Sequence, residues 1–418
     1  MDINQGENVY LVGIKGAGMA GLAQILKGLG YRVKGSDIFD TFFTDDILKR
    51  EKIPFHEGFD QKKIPQAIDW AISSGAYLSQ ENVEVEELKK RGIPIVSYPE
   101  ALAHFFNSAY GIAVTGTHGK STTSAMITHV LTQTGHDPFA LIGAELLNWH
   151  SNARYPKQPY TLYPIPYFII EADEYREQFL YYTPQMIIIT NIDYDHSDYF
   201  ATQKDYQNAF EKFKRNLKPN GIIIENATQR NFNLKVIGKH NQENAALAFE
   251  TCKALGIPED EIRSALENFA GLRRRLEKIG EYKGALIIDD YAHHPAEITA
   301  SLGALKETYN ARKLIVLFHP HTYSRTKMFL KEFARSLLLA DEIYLLDVYA
   351  SAREQTGEVG SNDIIEKINH LSRRAKNLKT IENAVNYFRE HLGADDVFVT
   401  MGAGDVFRVA ERLVKFKD

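Results

Sequence analysis

Cysteine is almost absent from this chain of 418 residues: Cys252 stands alone. No internal disulfide can form, and its place inside a helical pattern suits a small buried apolar residue better than a nucleophile. Such usage fits a reducing compartment. A basic surplus is also missing. The 49 Lys and Arg are outnumbered by 54 Asp and Glu, giving a formal net charge of −5, so there is no general nucleic-acid footprint. No run reaches the roughly 18 apolar residues of a membrane span. No basic-plus-apolar leader precedes the first strand pattern at Val9 to Val12. Low-complexity tracts and short-period repeats are lacking too. The expectation left is a cytoplasmic globular protein with no membrane contact, long enough for two or three domains, each with its own core.

What is there centres on Gly116-Thr117-His118-Gly119-Lys120-Ser121-Thr122. An apolar strand pattern, Tyr110 to Thr115, precedes it, and a helical pattern from Thr123 to Leu131 follows. Strand, glycine-bounded loop, Lys-Ser and helix make the layout of a phosphate-binding P-loop. Glycines let backbone wrap phosphates without a Cβ in the way. The helix start offers free N–H groups and the positive end of a dipole. Lys120 can reach terminal phosphates, and the Ser121 hydroxyl can take a Mg²⁺ position. The loop is shorter than G-x-x-x-x-G-K-[ST], and a plain Gly-rich turn would explain the glycines, though not Lys-Ser at the helix start. Lys120 sits in the loop rather than on an apolar face, so its removal is expected to spare the fold.

Before this loop, Gly16-x-Gly18-x-x-Gly21 opens a helix after the first strand. The next strand ends at Ser36-Asp37, where an acid would meet a ribose hydroxyl in a dinucleotide fold. A tight turn with no ligand is the plain alternative. A real site would bind a diphosphate, with NAD and a UDP-sugar both open. After the loop, the strand from Tyr167 ends in Glu171, Asp173 and Glu174, and the strand from Met186 ends in Asp193, Asp195 and His196. In parallel sheets ligands bind beyond the carboxyl ends of strands, so both clusters should face the P-loop crevice. Carboxylates there could hold Mg²⁺ against phosphate, or serve only as helix caps. Gly238 to Asn244 opens an Ala-rich helix, where His240, Asn241 and Asn244 could meet a base edge, or Asn241 could simply cap the helix. Four further strands, ending near Ile288, Phe318, Leu346 and Thr400, alternate with helices and predict a third α/β sheet. Their ends are rich in His, Tyr and Arg, which suits anionic ligands or a solvated rim.

Taken together these motifs resemble the Mur ligase family, and they span nearly the whole chain in the family's order. The resemblance runs through Gly13 to Ala23, Gly35 to Asp37, Thr115 to Thr123, Glu171 to Phe179, Asn191 to Phe200, Gly238 to Asn244, Asp289 to Pro295 and His319 to Thr326. It implies an α/β fold of three domains: a UDP-sugar-binding Rossmann-like domain at 1–107, a central P-loop domain at 108–267 and a C-terminal Rossmann-like domain at 268–418. It implies ATP-dependent joining of L-alanine to UDP-N-acetylmuramate through an acyl phosphate, with Mg²⁺, for which Mn²⁺ can substitute. By the same resemblance, Gly116, Thr117, Gly119, Lys120, Ser121 and Thr122 hold phosphates, and Ser121, Glu171 and His196 hold metal. Asn241, Asn244, Arg275 and Asp290 would meet the nucleotide. Gly16, Gly18, Ser36, Asp37, His118 and His293 would meet substrate, and His321 and Arg325 the amine and the transferring phosphoryl. No nucleic-acid partner is implied, and a monomer or weak homodimer is expected.

Two departures stand out. The stretch between Ile224 and Gly238 is short where relatives carry a small antiparallel sheet, and Ser121 replaces the usual Thr while keeping the hydroxyl. Three other readings stay open at this point. A recycling ligase adding a tripeptide shares almost every motif. A nicotinamide oxidoreductase would leave Lys120-Ser121 without a task. A catalytically dead regulator would not need the full residue set.

Overall fold

The computed structural model describes residues 6–40, 42–78, 81–156, 167–196, 199–350, 356–371 and 375–416. Ser197 and Asp198, within the run from Asn191 to Phe200, lie outside the described residues. The strands form three sheets.

The first sheet holds β1 (Asn8–Val12), β2 (Arg32–Asp37), β3 (Phe55–Glu57), β4 (Trp70–Ser73) and β5 (Ile95–Ser97), all parallel in the order 3-2-1-4-5. The order reverses beside β1, so the glycine run that follows β1 stands at the sheet's switch point. The second sheet holds β6 (Tyr110–Thr115), β7 (Phe139–Leu146), β8 (Ser151–Arg154), β9 (Tyr167–Glu171), β10 (Met186–Ile189) and β11 (Ile222–Ile224), in the order 11-10-6-9-7-8. It is parallel except for the β7–β8 hairpin. Every residue of β10 is buried, as expected of a central parallel strand covered on both faces. The third sheet holds β12 (Glu277–Tyr282), β13 (Ala285–Asp290), β14 (Lys313–Phe318), β15 (Glu342–Leu346), β16 (Ala375–Lys379) and β17 (Asp396–Met401), in the order 12-13-17-14-15-16, with β12 antiparallel. The chain is thus α/β with three sheets. The β7–β8 hairpin, β12 and β16 were not legible in the sequence. Residues 225–238 carry no strand or helix, so the short stretch there holds no small sheet.

Period-2 alternation builds the third sheet's two cores. Leu286, Ile288, Val397, Val399, Leu314 and Val316 pack on one face, while Ile287, Phe398, Ile315 and Leu317 pack on the other. Each such side chain stabilises by about 1.5–3 kcal/mol when fully buried. Helices start where polar side chains satisfy free N–H groups. Ser97 with Glu100 and Thr202 with Asp205 form reciprocal capping boxes.

By contacts the chain forms two compact units, 1–233 with 243–270 and 234–242 with 271–418. The first two sheets share one unit, and buried polar side chains join them. Gln24, on the helix Ala17–Gly28, donates to Asn152 Oδ1 at 3.1 Å and accepts from Ser151 Oγ at 2.7 Å. Asn152 Nδ2 donates to the Ala17 carbonyl at 2.8 Å. Gly21, the last glycine of the G-x-G-x-x-G run, lets Leu141 approach, since a Cβ there would lie 3.1 Å from its side chain. Gly28 does the same for the Tyr155 ring.

Candidate active site

The loop after β6 is shaped by its glycines and fastened by the end of β10. Gly116 and Gly119 have φ of +127° and +82°, in the left-handed region that favours glycine. A Cβ on Gly116 would lie 2.2 Å from Thr190 Oγ1, and one on Gly119 would lie 2.4 Å from Asn244 Oδ1. Thr190 Oγ1 donates to the His118 carbonyl at 2.6 Å, and Asn191 Oδ1 accepts the His118 N–H at 2.9 Å. Thr117 Oγ1 lies 2.8 Å from the Tyr206 hydroxyl and 2.6 Å from the Asp193 carbonyl. The helix Lys120–Gln133 then starts directly from the loop. Ser121 is buried in its first turn, Thr122 is half-buried, and Thr123 Oγ1 donates to Asn244 Oδ1 at 3.2 Å. The His118 ring sits 4.0 Å from the Asp193 carboxylate.

Because β6 lies between β9 and β10, both acidic strand ends flank the loop. Glu174 reaches it most directly. Each of its carboxylate oxygens accepts from the Lys120 ammonium at 3.0 Å. It also accepts from the Tyr206 hydroxyl at 3.3 Å and lies 3.6 Å from His196 Nε2. Lys120 donates as well to the carbonyls of Gly116 and Thr117. Burial alone would raise the Glu174 pKa, but the Lys120 ammonium and His196 outweigh it, and the carboxyl sits below its ordinary value. Burial opposes charge on His196, yet Glu174 and Asp195 hold its pKa above the usual imidazole value.

Ligand atoms of Asp173, Glu174 and His196 lie within 4.8 Å of one another. Two carboxylates and an imidazole in that space fit a divalent cation, with oxygen donors suiting Mg²⁺ and the ring nitrogen suiting Mn²⁺ as well. Glu171 stands outside this trio. It accepts the Gly143 N–H from β7, against a glycine whose Cβ would lie 2.9 Å from its Oε2. Thr190, Asn191, Glu174 and Tyr206 were missed as site residues. Only Glu174 had a sequence signal, as an acid at a strand end.

In the first sheet the predicted substrate residues serve the glycine turn itself. The N–H groups of Gly13 and Ile14 donate to the Ser36 carbonyl at 2.9 and 3.1 Å, and the Lys15 N–H donates to Asp37 Oδ2 at 2.6 Å. The Ser36 hydroxyl donates to buried Glu84. Lys15 is fully buried, and its ammonium donates to the Ile38 and Asp40 carbonyls and to Glu57. Gly16 is open to within 3.7 Å of the Gly13 carbonyl, whereas Gly18 faces the Tyr98 phenol, which a Cβ would meet at 2.7 Å.

The second unit brings its own set together. Asp290 ends β13, accepts the Ala292 N–H at 3.2 Å, and is pushed up to about 6 by burial, against the pull of Ser301 and Arg275. Arg275 lies over the Tyr291 ring, while Arg274 is tied to Asp289 at 2.9 Å and to the Gly402 carbonyl at 2.7 Å. The His293 ring sits 6.4 Å from His321, which stacks on Tyr349 and receives Arg325 at 3.4 Å on Nδ1. Burial, then Arg325, His293 and His319, drive the His321 pKa down to about 4. A neutral imidazole is the form that accepts from a guanidinium. Asn241 donates to the Ile237 carbonyl at 2.7 Å, and so stabilises its own helix start.

The fold and this loop define a three-sheet α/β protein whose central sheet carries a glycine-bounded loop of P-loop layout. Family models for the Mur ligase family catalytic domain, the Mur ligase middle domain and the Mur ligase glutamate ligase domain match residues 8–110, 114–235 and 274–404. The UDP-N-acetylmuramate–L-alanine ligase of Desulfitobacterium hafniense is 33% identical over 97% of this chain and 99% of its own. The ligase of the same name from Carboxydothermus hydrogenoformans is 34% identical over 97% and 96%. Among solved structures, the UDP-N-acetylmuramate-alanine ligase of Thermotoga maritima superposes with a TM-score of 0.82 at 26% identity, covering 98% of each chain. The chain belongs to the Mur ligase family. Among the described residues no helix is long and apolar enough to cross a membrane.

Proposed function

We propose that this chain is the ATP-dependent ligase that joins L-alanine to UDP-N-acetylmuramate in peptidoglycan precursor synthesis. A carboxylate oxygen of the sugar attacks the γ-phosphorus and ADP leaves. The amine then attacks the acyl carbon, phosphate leaves, and the amine gives up a proton. One observation carries the reading: similarity to relatives of that name runs through essentially the whole chain.

The residues divide the work as follows. Gly116 to Thr122 offer backbone N–H groups and the Lys120 ammonium to the phosphates, neutralising charge that builds during transfer. Asn244 and Asn241 would meet the adenine, and Arg275 and Asp290 the rest of the nucleotide. The turn from Gly13 to Gly18, with Asp37 behind it, would seat the diphosphate of the sugar nucleotide. His118 and His293 would contact substrate, and His321 and Arg325 the amine. Asp173, Glu174 and His196, with Ser121 and Glu171 alongside, would hold Mg²⁺, which when bound screens the phosphates from the incoming carboxylate. The substrate carboxylate is already ionised at pH 7, so His196 is assigned to metal holding rather than proton removal. On this reading the enzyme acts in the cytoplasm on small molecules.

The test is phosphate release from ATP with UDP-N-acetylmuramate and a panel of amines. L-Alanine should support turnover and the L-Ala-γ-D-Glu-containing tripeptide should not. Turnover with the tripeptide alone would make the chain a recycling ligase, and turnover with neither would remove the ligase reading.

A further inference from the structure

Lys120 is not poised toward open space: its ammonium is turned back onto its own loop and onto a carboxylate. Glu174 is fully buried. Its two oxygens and the carbonyls of Gly116 and Thr117 occupy the places around the ammonium that phosphate oxygens would need. An ammonium has three protons to donate, so it cannot serve this set and a phosphate together. A buried carboxylate left without its cation is costly, yet Glu174 has fallback partners in the Tyr206 hydroxyl and in His196 Nε2. Tyr206 in turn touches Thr117 of the same loop. The arrangement has two ways to satisfy Glu174, one with Lys120 and one without.

We propose that Glu174 is the resting counterion of the phosphate-loop lysine, a positioning residue that keeps Lys120 folded on its loop until a nucleotide phosphate displaces it, and that Glu174 is then left to Tyr206 and to His196 or the metal the two would share. The idea rests on reading the loop as the ATP site. It makes nucleotide binding an exchange of anions at one ammonium, so the carboxylate competes with phosphate. Holding the side chain in the loop also spares Lys120 from other anions while the site awaits ATP.

Calorimetric titration with ADP in EDTA tests this without metal. Glu174→Gln keeps the shape and removes the competing charge, so it should bind ADP roughly five- to tenfold more tightly than wild type, within the ordinary range of coupling between two ligands. Lys120→Ala should weaken ADP binding, and adding Glu174→Gln to it should restore nothing. Equal or weaker ADP binding by Glu174→Gln overturns the exchange while leaving the ATP reading intact if wild type binds ADP and Lys120→Ala does not. Wild type that fails to bind ADP overturns both. A crystal structure of wild type with ADP needs no variant. Lys120 Nζ should then lie on phosphate and beyond hydrogen-bond reach of Glu174, and retention of both carboxylate contacts overturns the proposal.

Discussion

Asn191 grips His118 with both ends of its amide: Oδ1 accepts the His118 N–H at 2.9 Å and Nδ2 donates to the His118 carbonyl at 3.0 Å. A side chain at the end of one strand thereby sets the backbone of a loop 73 residues earlier. If the loop holds phosphate as proposed, its shape aims the N–H groups, and Asn191 would act on nucleotide affinity through that shape. Asn191→Ala should raise the KM for ATP by up to about thirtyfold, from the loss of two hydrogen bonds at about 1 kcal/mol each. The KM for UDP-N-acetylmuramate should stay near wild type. Steady-state kinetics varying each substrate in turn decide it, and equal rises in both would show general loosening.

Lys120→Ala should abolish turnover, since a charge clamp on a transferring phosphoryl supplies several kcal/mol. Fold stability should fall as well, against the sequence-based expectation. Removing the cation leaves buried Glu174 to Tyr206 and His196 alone, a loss of about 1–2 kcal/mol. The double variant Lys120→Ala with Glu174→Gln should recover most of that loss. Urea unfolding of the four proteins forms the cycle, and a stable single variant with no recovery in the double would refute it.

Asp290 carries a pH signature. Its folded pKa of about 6 exceeds the ordinary 3.8, so the folded state holds a proton that the unfolded state releases. Its stabilisation is full below the unfolded value and is lost as pH rises through about 6. His319 and His321 run the other way. Both are pushed down to about 4, chiefly by burial, so they favour folding above the unfolded imidazole pKa and lose that as pH falls toward 4. Asp290→Asn should therefore stabilise the second unit at pH 7.5 by up to about 3 kcal/mol. The gain should vanish below pH 4. Melting curves from pH 4 to 8 read this directly.

His196→Ala should raise the Mg²⁺ needed for half-maximal turnover at least tenfold, a range reported for loss of metal-site partners, and Mn²⁺ should serve the wild type well. EDTA should stop turnover in both. If the metal requirement is unchanged and only a limb of the pH–rate profile disappears, His196 is a base.

The sequence made the P-loop, the acidic strand ends and the order of the three sheets legible, because each is written within ten or fifteen neighbouring residues. Gly119 before Lys120-Ser121 needs no distant partner to be read. The missed features are long-range. Glu174 and Lys120 are 54 positions apart, and nothing local marks that acid as the lysine's partner. Lys15 stands between glycines, and nothing local marks it as the fully buried ammonium that carbonyls and acids enclose. The hairpin Phe139–Arg154 lacks strict alternation because one side covers its own sheet while the other receives a helix from the first.

That last packing decides where the molecule can be cut and grafted. With Gln24 satisfied by Asn152 and Ser151, and with Gly21 and Gly28 filled by Leu141 and Tyr155, residues 1–107 expressed alone would present an open seam on the helix Ala17–Gly28, its apolar surface newly exposed to water. A chimera that exchanges the first sheet between two relatives should therefore carry its hairpin with it as a matched pair. A donor sheet set against the recipient's own hairpin inherits a mismatch at that seam, however well its glycine turn binds.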